Sequence, residues 1–231
     1  MGSRLDFSDI VVIIPTLDEE LGVEPTINEM KEVLSDSRFI VIDGGSKDRT
    51  IEVAKDLGVD VFIQDGKGKG DAIRKGLDKL YSNTRYVIFN DADYTYPAAK
   101  LKVMLSILNK NPEVGMVLGD RFKNRINLNC LVNPFFVGNR FFAFAQRMFN
   151  GLNLNDPLTG LRVIRYKLLK NWVPISDSFD IEAELNYHIE RTGYNIVEIP
   201  ILYRKRLGKK KLGLRHGLKI LKRIIKESVI T

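Results

Sequence analysis

The chain has 231 residues, 44% of them hydrophobic, which suits one large globular domain with a sizeable core. Its one cysteine, Cys130, excludes an intrachain disulfide and agrees with a reducing compartment, and with only two histidines (His188 and His216) a structural zinc site is disfavoured. The net charge of +7 is local: residues 204–226 hold eleven basic side chains and no acid, leaving 25 basic against 29 acidic residues elsewhere.

Residues 10–14 read as a buried strand stopped by Pro15, and residues 19–34 as a helix. A second strand spans 39–42 and runs into the turn Asp43-Gly44-Gly45-Ser46, after which Ser46 or Asp48 can cap a helix to about residue 57. Residues 59–63 form a third strand, 66–70 a glycine-lysine loop, and about 71–80 a helix. The apolar run Tyr86-Val87-Ile88-Phe89-Asn90 is a fourth strand, and Pro97 suits the first turn of a helix to about residue 108. A fifth strand covers 114–118, and these repeated βα units imply an α/β fold with a mostly parallel sheet and helices on both faces.

The pattern then changes. Residues 135–149 hold six of the twelve Phe, with Arg140 and Arg147 among them, 180–191 read as a helix, and 196–203 as a strand interrupted by Pro200. Residues 214–230 place Leu214, Leu218, Leu221 and Ile225 at helical spacing, with Lys219, Lys222, Arg223 and Lys226 largely on other faces. No run approaches the roughly 18 apolar residues that span a bilayer. Residues 1–6 lack the apolar core of a secretory signal.

The richest chemistry lies at Asp91-Ala92-Asp93, where the fourth strand ends. Residues two apart on a strand point the same way, and strand ends are where open α/β sheets bind ligands. Two carboxylates so placed repel unless a cation sits between them, and a hard divalent ion there can bridge a diphosphate. Four other strings have both a ligand reading and a local one. Pro15-Thr16-Leu17-Asp18-Glu19-Glu20 offers carboxylates to a base or ribose, or caps a helix. Asp43 to Ser46 binds a nucleotide or simply turns the chain. Gly66-Lys67-Gly68-Lys69-Gly70-Asp71 fails the Walker pattern and the dinucleotide fingerprint, which leaves a flexible basic loop that attracts anions, or a solvated one. Asp156-Pro157-Leu158-Thr159-Gly160-Leu161-Arg162 steers an acceptor with Asp156 and holds a phosphate with Arg162, or forms a turn with an ion pair. The run from Tyr203 to Lys211 attracts nucleic acid, phospholipid or a diphosphate; ahead of a basic amphipathic helix, it fits an interfacial membrane site or a core-packed helix with a solvated basic face.

Together, and in this order, these strings resemble the family-2 glycosyltransferases of the GT-A fold, and more closely the polyprenyl-phosphate (dolichyl-phosphate) mannose and glucose transferases. The match covers about residues 9–212. It implies a Rossmann-like catalytic domain over 1–212, with a nucleotide-sugar half at about 9–120 and an acceptor half at 121–212, followed by a basic amphipathic C-terminal helix over 213–231. It implies an inverting hexosyl transfer from a nucleotide diphosphate sugar (GDP-mannose or UDP-glucose type) to polyprenyl or dolichyl phosphate, with Mg²⁺ or Mn²⁺. The resemblance assigns the nucleotide to Pro15, Thr16, Asp18, Glu19, Asp43, Gly45, Ser46, Lys69, Gly70, Asp91 and Ala92. It assigns the metal to Asp91, Asp93 and Thr95, the last standing where close relatives carry Gln. Catalysis falls to Asp91, Asp93, Arg121, Asp156, Arg206 and Lys211, with the upstream arginine of the basic loop being Arg204 or Arg206. Acceptor binding falls to Arg162, Glu182 and Arg140. The expected setting is the cytoplasmic face of a membrane, held peripherally by residues 135–149 and 214–230. The competing readings are transfer to a soluble sugar or glycan, and a basic nucleic-acid-binding module, which no recognisable motif supports.

Overall fold

The computed structural model describes residues 7–123, 134–209, 211 and 213–229; Cys130 and Lys210 lie outside the described residues. The first part of the chain forms β1 (Ile10–Thr16), α1 (Glu20–Val33), β2 (Arg38–Asp43), α2 (Thr50–Asp56), β3 (Asp60–Ile63), α3 (Lys69–Leu77) and β4 (Tyr86–Phe89). Then follow α4 (Leu101–Lys110), β5 (Val114–Asp120), α5 (Pro134–Asn150), β6 (Arg162–Arg165), α6 (Ile181–Arg191), β7 (Asn195–Pro200) and α7 (Leu214–Val229).

The strands make one seven-stranded sheet in the order β3-β2-β1-β4-β6-β5-β7. β1 pairs in parallel with β2 and β4, and β5 in parallel with β7. The two-residue side-chain period divides β1 between two cores: Ile10, Val12 and Ile14 face one side, Val11 and Ile13 the other. The first side is covered by α1, α2 and α4 through Val23, Ile27, Met30, Ala54, Leu101 and Met104. The second is covered by α3 and α6 through Ala72, Ile73, Ile181, Leu185 and Ile189. Each fully buried Ile or Val contributes about 1.5–3 kcal/mol, so strands buried on both faces read as continuous apolar runs.

The strand the sequence did not show is β6. It runs antiparallel between β4 and β5, with Phe89 opposite Arg162 and Leu118 opposite Arg162. It joins the second half of the chain to the first within one sheet. Two further differences are local. The helix after Pro97 begins as a 3₁₀ turn, Ala98–Lys100, before α4, and the last strand stops at Pro200. The C-terminal α7 is packed against α5 and α6 around Ala145, Ala183, Ile220 and Ile224. Arg223, nearly buried, lies among Asp180 (3.6 Å), Glu184 (3.8 Å) and Glu227 (3.3 Å) and ties α7 to α6.

Candidate active site

The carboxyl ends of β1, β2 and β4 share one rim, and the sequence-selected residues gather along it. In register, Thr16 sits beside Asp43. Asp43 is fully buried, and its carboxylate accepts four hydrogen bonds: from the Thr16 hydroxyl (2.9 Å), the Gly45 N–H (2.8 Å), the Ser46 N–H (2.7 Å) and the Ser46 hydroxyl (2.5 Å). The turn needs glycine at Gly45, where φ is +87°. Asp18 closes the corner by accepting the Lys47 N–H (2.7 Å) and donating its own N–H to Ser46 Oγ (2.8 Å). Asp48 ties two helix starts together, accepting the N–H groups of Thr50 (3.0 Å) and Glu20 (3.1 Å). Its partial burial opposes charge, but the Thr50 bonds prevail and hold the carboxyl below the usual range.

The Asp91–Asp93 turn rests on α1. A Cβ on Gly22 would stand 2.5 Å from the Ala92 carbonyl oxygen, so the helix approaches as only glycine allows. The Thr26 hydroxyl donates to that same oxygen (3.3 Å) and accepts the Tyr94 N–H (3.0 Å). Asp91 Oδ1 is held by Lys69 Nζ at 2.6 Å, and Lys69 reaches Glu182 Oε1 at 2.6 Å as well. Burial disfavours the Lys69 charge, but its two carboxylate partners raise its pKa above the usual lysine value. Burial likewise opposes ionisation of Asp91, yet Lys69 keeps its carboxyl below the usual range. Asp93 differs. Burial first, and then the Asp91 charge, push it up, against Arg206 and Thr95. Its Oδ1 accepts the Thr95 hydroxyl (2.5 Å) and N–H (3.1 Å). Among the described residues its Oδ2 accepts no hydrogen bond of good geometry and meets only the ion-pairing Arg206 guanidinium.

Arg206 belongs to the segment 203–209, which is laid over the triplet by two main-chain bonds, Arg204 N–H to Thr95 O (2.9 Å) and Leu207 N–H to Asp93 O (3.1 Å). Arg204 is turned away onto Glu29 of α1 (2.7 and 2.5 Å) and over the Tyr94 ring, which leaves Arg206 as the loop arginine that faces the carboxylates. Glu19 gathers Arg206 (3.1 Å) and Lys211 (2.5 Å), while its buried Oε2 has no hydrogen-bond partner among the described residues; burial raises its pKa despite both cations. On the far side, Arg121 makes a two-pronged pair with the fully buried Asp156 (2.7 and 2.6 Å) and packs against the Phe122 and Tyr203 rings.

Several residues stand elsewhere than their sequence context suggests. Thr95 is fully buried and its polar groups are spent on Asp93 and Arg204, so it supports Asp93 and is not turned outward as a third ligand. Arg162 is 1% exposed and gives its guanidinium to Thr159 O (2.9 Å), Pro157 O (2.7 Å) and Asn186 Oδ1 (2.6 Å), so no face of it is left for a phosphate. Burial lowers its pKa below the usual arginine value. Glu182 holds Lys69, and Arg140 is exposed on α5, outside the hydrogen bonds and ion pairs of the Asp91 cluster. The glycine-lysine loop is a packing device: Cβ atoms on Gly68 and Gly70 would lie 2.3 Å from Asp177 O and 2.0 Å from Ser176 O. Sequence reasoning missed Tyr96, whose buried hydroxyl accepts the Gly160 N–H (2.7 Å), and Gly160 itself, where a Cβ would strike Asp91 Oδ2 at 2.3 Å.

A cleft of about 590 Å³ lies at the opposite end of the sheet, lined by Asn111, Glu113, Leu152 and Asn195 among others. It holds none of these groups, so volume is a poor guide to the chemistry here. Among the described residues no cluster of three or more His, Cys, Asp or Glu side chains is arranged for a metal. The donor set of the triplet nevertheless fits a hard cation that keeps substrate and water oxygens: with Asp91 Oδ1 and Asp93 Oδ1 engaged, Asp91 Oδ2 remains, and the buried Asp93 Oδ2 lacks a hydrogen bond among the described residues and is matched by the Arg206 charge.

Residues 11–172 match the family model "Glycosyl transferase family 2". A dolichyl-phosphate hexose transferase of Haloferax volcanii is 31% identical over 95% of this chain and 94% of its own length. An undecaprenyl-phosphate mannosyltransferase of Micrococcus luteus is 26% identical over 88% of this chain and 87% of its own. In fold, the chain resembles the glucosyl-3-phosphoglycerate synthase of Mycobacterium tuberculosis crystallised with Mn²⁺, UDP-glucose and phosphoglyceric acid, with a TM-score of 0.76 and 21% identity over 96% of this chain and 80% of that one.

Proposed function

Because the chain belongs to glycosyl transferase family 2 and is a hexosyltransferase of the GT-A fold, we propose that it moves a hexose from a nucleotide diphosphate sugar to a polyprenyl phosphate of the dolichyl type, with inversion and with Mg²⁺ or Mn²⁺. The observation that carries the reading is Asp93: a buried carboxylate whose Oδ2 meets the Arg206 cation and, among the described residues, no hydrogen-bond donor of good geometry, beside Asp91 just beyond the end of β4. Asp91 and Asp93 would hold the metal, which when bound supplies Lewis acidity to the departing diphosphate. The nucleotide lies along the rim from Pro15 to Glu19 and Asp43 to Ser46, on the half of the chain before residue 121.

The residues of this chain supply the rest. Thr95 fixes Asp93 through Oδ1 and keeps Oδ2 directed to the cation. Lys69, held by Glu182, keeps Asp91 ionised. An acceptor phosphate oxygen attacks the anomeric carbon while the bond to the diphosphate oxygen breaks and its electron pair leaves with the diphosphate. Arg206, Lys211 and Arg121 stabilise that developing charge. The acceptor phosphate is already an anion near neutral pH, so no general base is required, and the described rim contains no histidine among its contacts.

Support for a lipid acceptor comes from the 31% identical relative, which is named for dolichyl phosphate, and from the surface of the second half. Phe141, Phe144, Met148, Leu218 and Val229 are exposed on α5 and α7, interleaved with exposed Arg140, Arg147, Lys219 and Lys222. No helix among the described residues is long and apolar enough to cross a membrane. This aromatic and basic face suits contact with a bilayer headgroup region, on the cytoplasmic side. The test is to incubate the protein with GDP-mannose, UDP-glucose or UDP-N-acetylglucosamine, Mg²⁺ or Mn²⁺, and a short polyprenyl phosphate. The expected result is a glycolipid; sugar transfer to a water-soluble acceptor, with none to lipid phosphate, would overturn the acceptor assignment.

A further inference from the structure

We propose that Glu198 is a positioning residue of this transfer reaction, acting on Arg121 through Asp156; the inference rests on the proposed role of Arg121 at the diphosphate. Glu198 is the one acid of β7, Asn-Ile-Val-Glu-Ile-Pro, and stands in register with Leu118 of β5, two residues before Asp120 and three before Arg121. A carboxylate in a partly buried apolar strand is costly unless its oxygens are matched. Both oxygens are matched by the main chain: Oε2 accepts the N–H of Asn155 at 2.8 Å, and Oε1 accepts the N–H of Asp156 at 2.7 Å. No cation forms an ion pair with it among the described residues. Two bonds to consecutive N–H groups fix the direction of the 155–156 peptide, and with it the departure of the Asp156 side chain.

Asp156 passes this orientation on. Its two oxygens hold Arg121 Nε (2.7 Å) and Nη2 (2.6 Å), and Oδ2 also accepts the Arg121 main-chain N–H (3.0 Å). The guanidinium is confined on its other sides by the Phe122 and Tyr203 rings, at 5.2 and 5.4 Å. The chain of contacts runs from a sheet strand, through a loop, to a cation near Asp91. A loop pin alone would need one bond to either N–H; a fork across both sets an angle, and angle is what a planar guanidinium transmits.

The test compares Glu198→Gln, Arg121→Lys and the double variant. Gln keeps the shape and one acceptor, but sets an amide NH₂ against the second N–H, so the fold is preserved while the fork is broken. Glu198→Gln is expected to lower kcat/KM for hexosyl transfer by up to about 10²-fold, the cost of misplacing a catalytic group by roughly 1 Å. In the Arg121→Lys background the same change is expected to cost nothing further, because the two residues act as one unit. An independent readout is the ¹⁵N–¹H signal of Arg121 Nε, identified by its disappearance in Arg121→Lys, which is expected to shift or broaden in Glu198→Gln. Equal losses in both backgrounds, no loss in either, or an unmoved Arg121 signal would each overturn the proposal. If no nucleotide sugar supports transfer to polyprenyl phosphate, the functional reading fails, and the Arg121 signal still decides whether Glu198 orients it.

Discussion

Asp43 and Asp93 make an instructive pair. Each lies at the carboxyl end of the sheet, Asp43 as the last residue of β2 and Asp93 in the turn after β4, and each is buried. Asp43 has four donors aimed at it and is saturated. Asp93 has one oxygen saturated by Thr95 and another that touches only the ion-pairing Arg206. The first carboxylate builds a turn. The second is a buried charge whose compensation is incomplete, and burial therefore pushes its pKa up. Hydrogen-bond completeness, more than position, separates the acid that builds a turn from the one proposed as a metal ligand.

Four measurements break or sharpen that contrast, from the largest effect to the smallest. Asp93→Ala is expected to reduce hexosyl transfer by about 10³-fold with little change in the calorimetric melting temperature; undiminished turnover would remove Asp93 from the metal site. Asp43→Ala is expected to act the other way round. It orphans several donors and should cost about 3 kcal/mol in urea unfolding; full stability with lost nucleotide binding would make Asp43 a ligand and not a scaffold. Thr95→Val, which removes the hydroxyl bond to Asp93 Oδ1 and keeps the main-chain one, is expected to weaken Mn²⁺ binding about tenfold, as loss of an outer-shell partner does. Mn²⁺ electron paramagnetic resonance with bound nucleoside diphosphate would detect it, and unchanged affinity would count against Thr95 as the support.

Glu198 is the intermediate case, with two donors and a pKa that burial raises above 4.5. The sign follows from linkage. A carboxyl whose folded pKa exceeds its unfolded one binds its proton more tightly when folded, so its contribution to stability is largest at low pH and declines as pH rises from about 4.5 through the folded value. The groups facing it are Asp120 at the end of β5, and Asp156 with its Arg121. The unfolding free energy of wild type relative to Glu198→Gln should therefore fall as pH rises across that window, and a relative value that rises would reverse the assignment.

Much of this architecture is legible in the sequence. β1, β2, β4 and β5 are apolar runs whose ends name the rim, although β1 continues through Pro15, expected to stop it, to Thr16. β6 is not legible, because Arg162-Val163-Ile164-Arg165 offers two apolar residues between two arginines, and its strand character comes from partners in β4 and β5. The burial of Arg162 is hidden for a related reason. Arginine is almost never fully buried unless paired, and its acceptors are two carbonyls of the preceding turn and Asn186 of a later helix. The glycines of 66–70 are visible, but their purpose is not: it is set by the backbone of residues 176–177, remote in sequence. The local turn Gly44-Gly45-Ser46 already supplies three of the four bonds to Asp43, whereas the partner that marks Asp93 out, Arg206, is remote in sequence.

The place of β6 has a consequence for how the protein is made. β4 and β5 cannot pair with each other; each keeps one edge open until residues 162–165 arrive, and β5 waits longer still for β7. During synthesis the first 120 residues therefore emerge as a nearly complete βα array with unpaired edges of wholly buried character, Tyr86–Phe89 and Val114–Asp120. Such edges are templates for wrong pairing, and the contacts that close them span long stretches of chain, which slows closure. A fragment ending between β5 and β6 should aggregate where the full chain folds, and the ribosome-bound chain should depend on chaperones most in that interval.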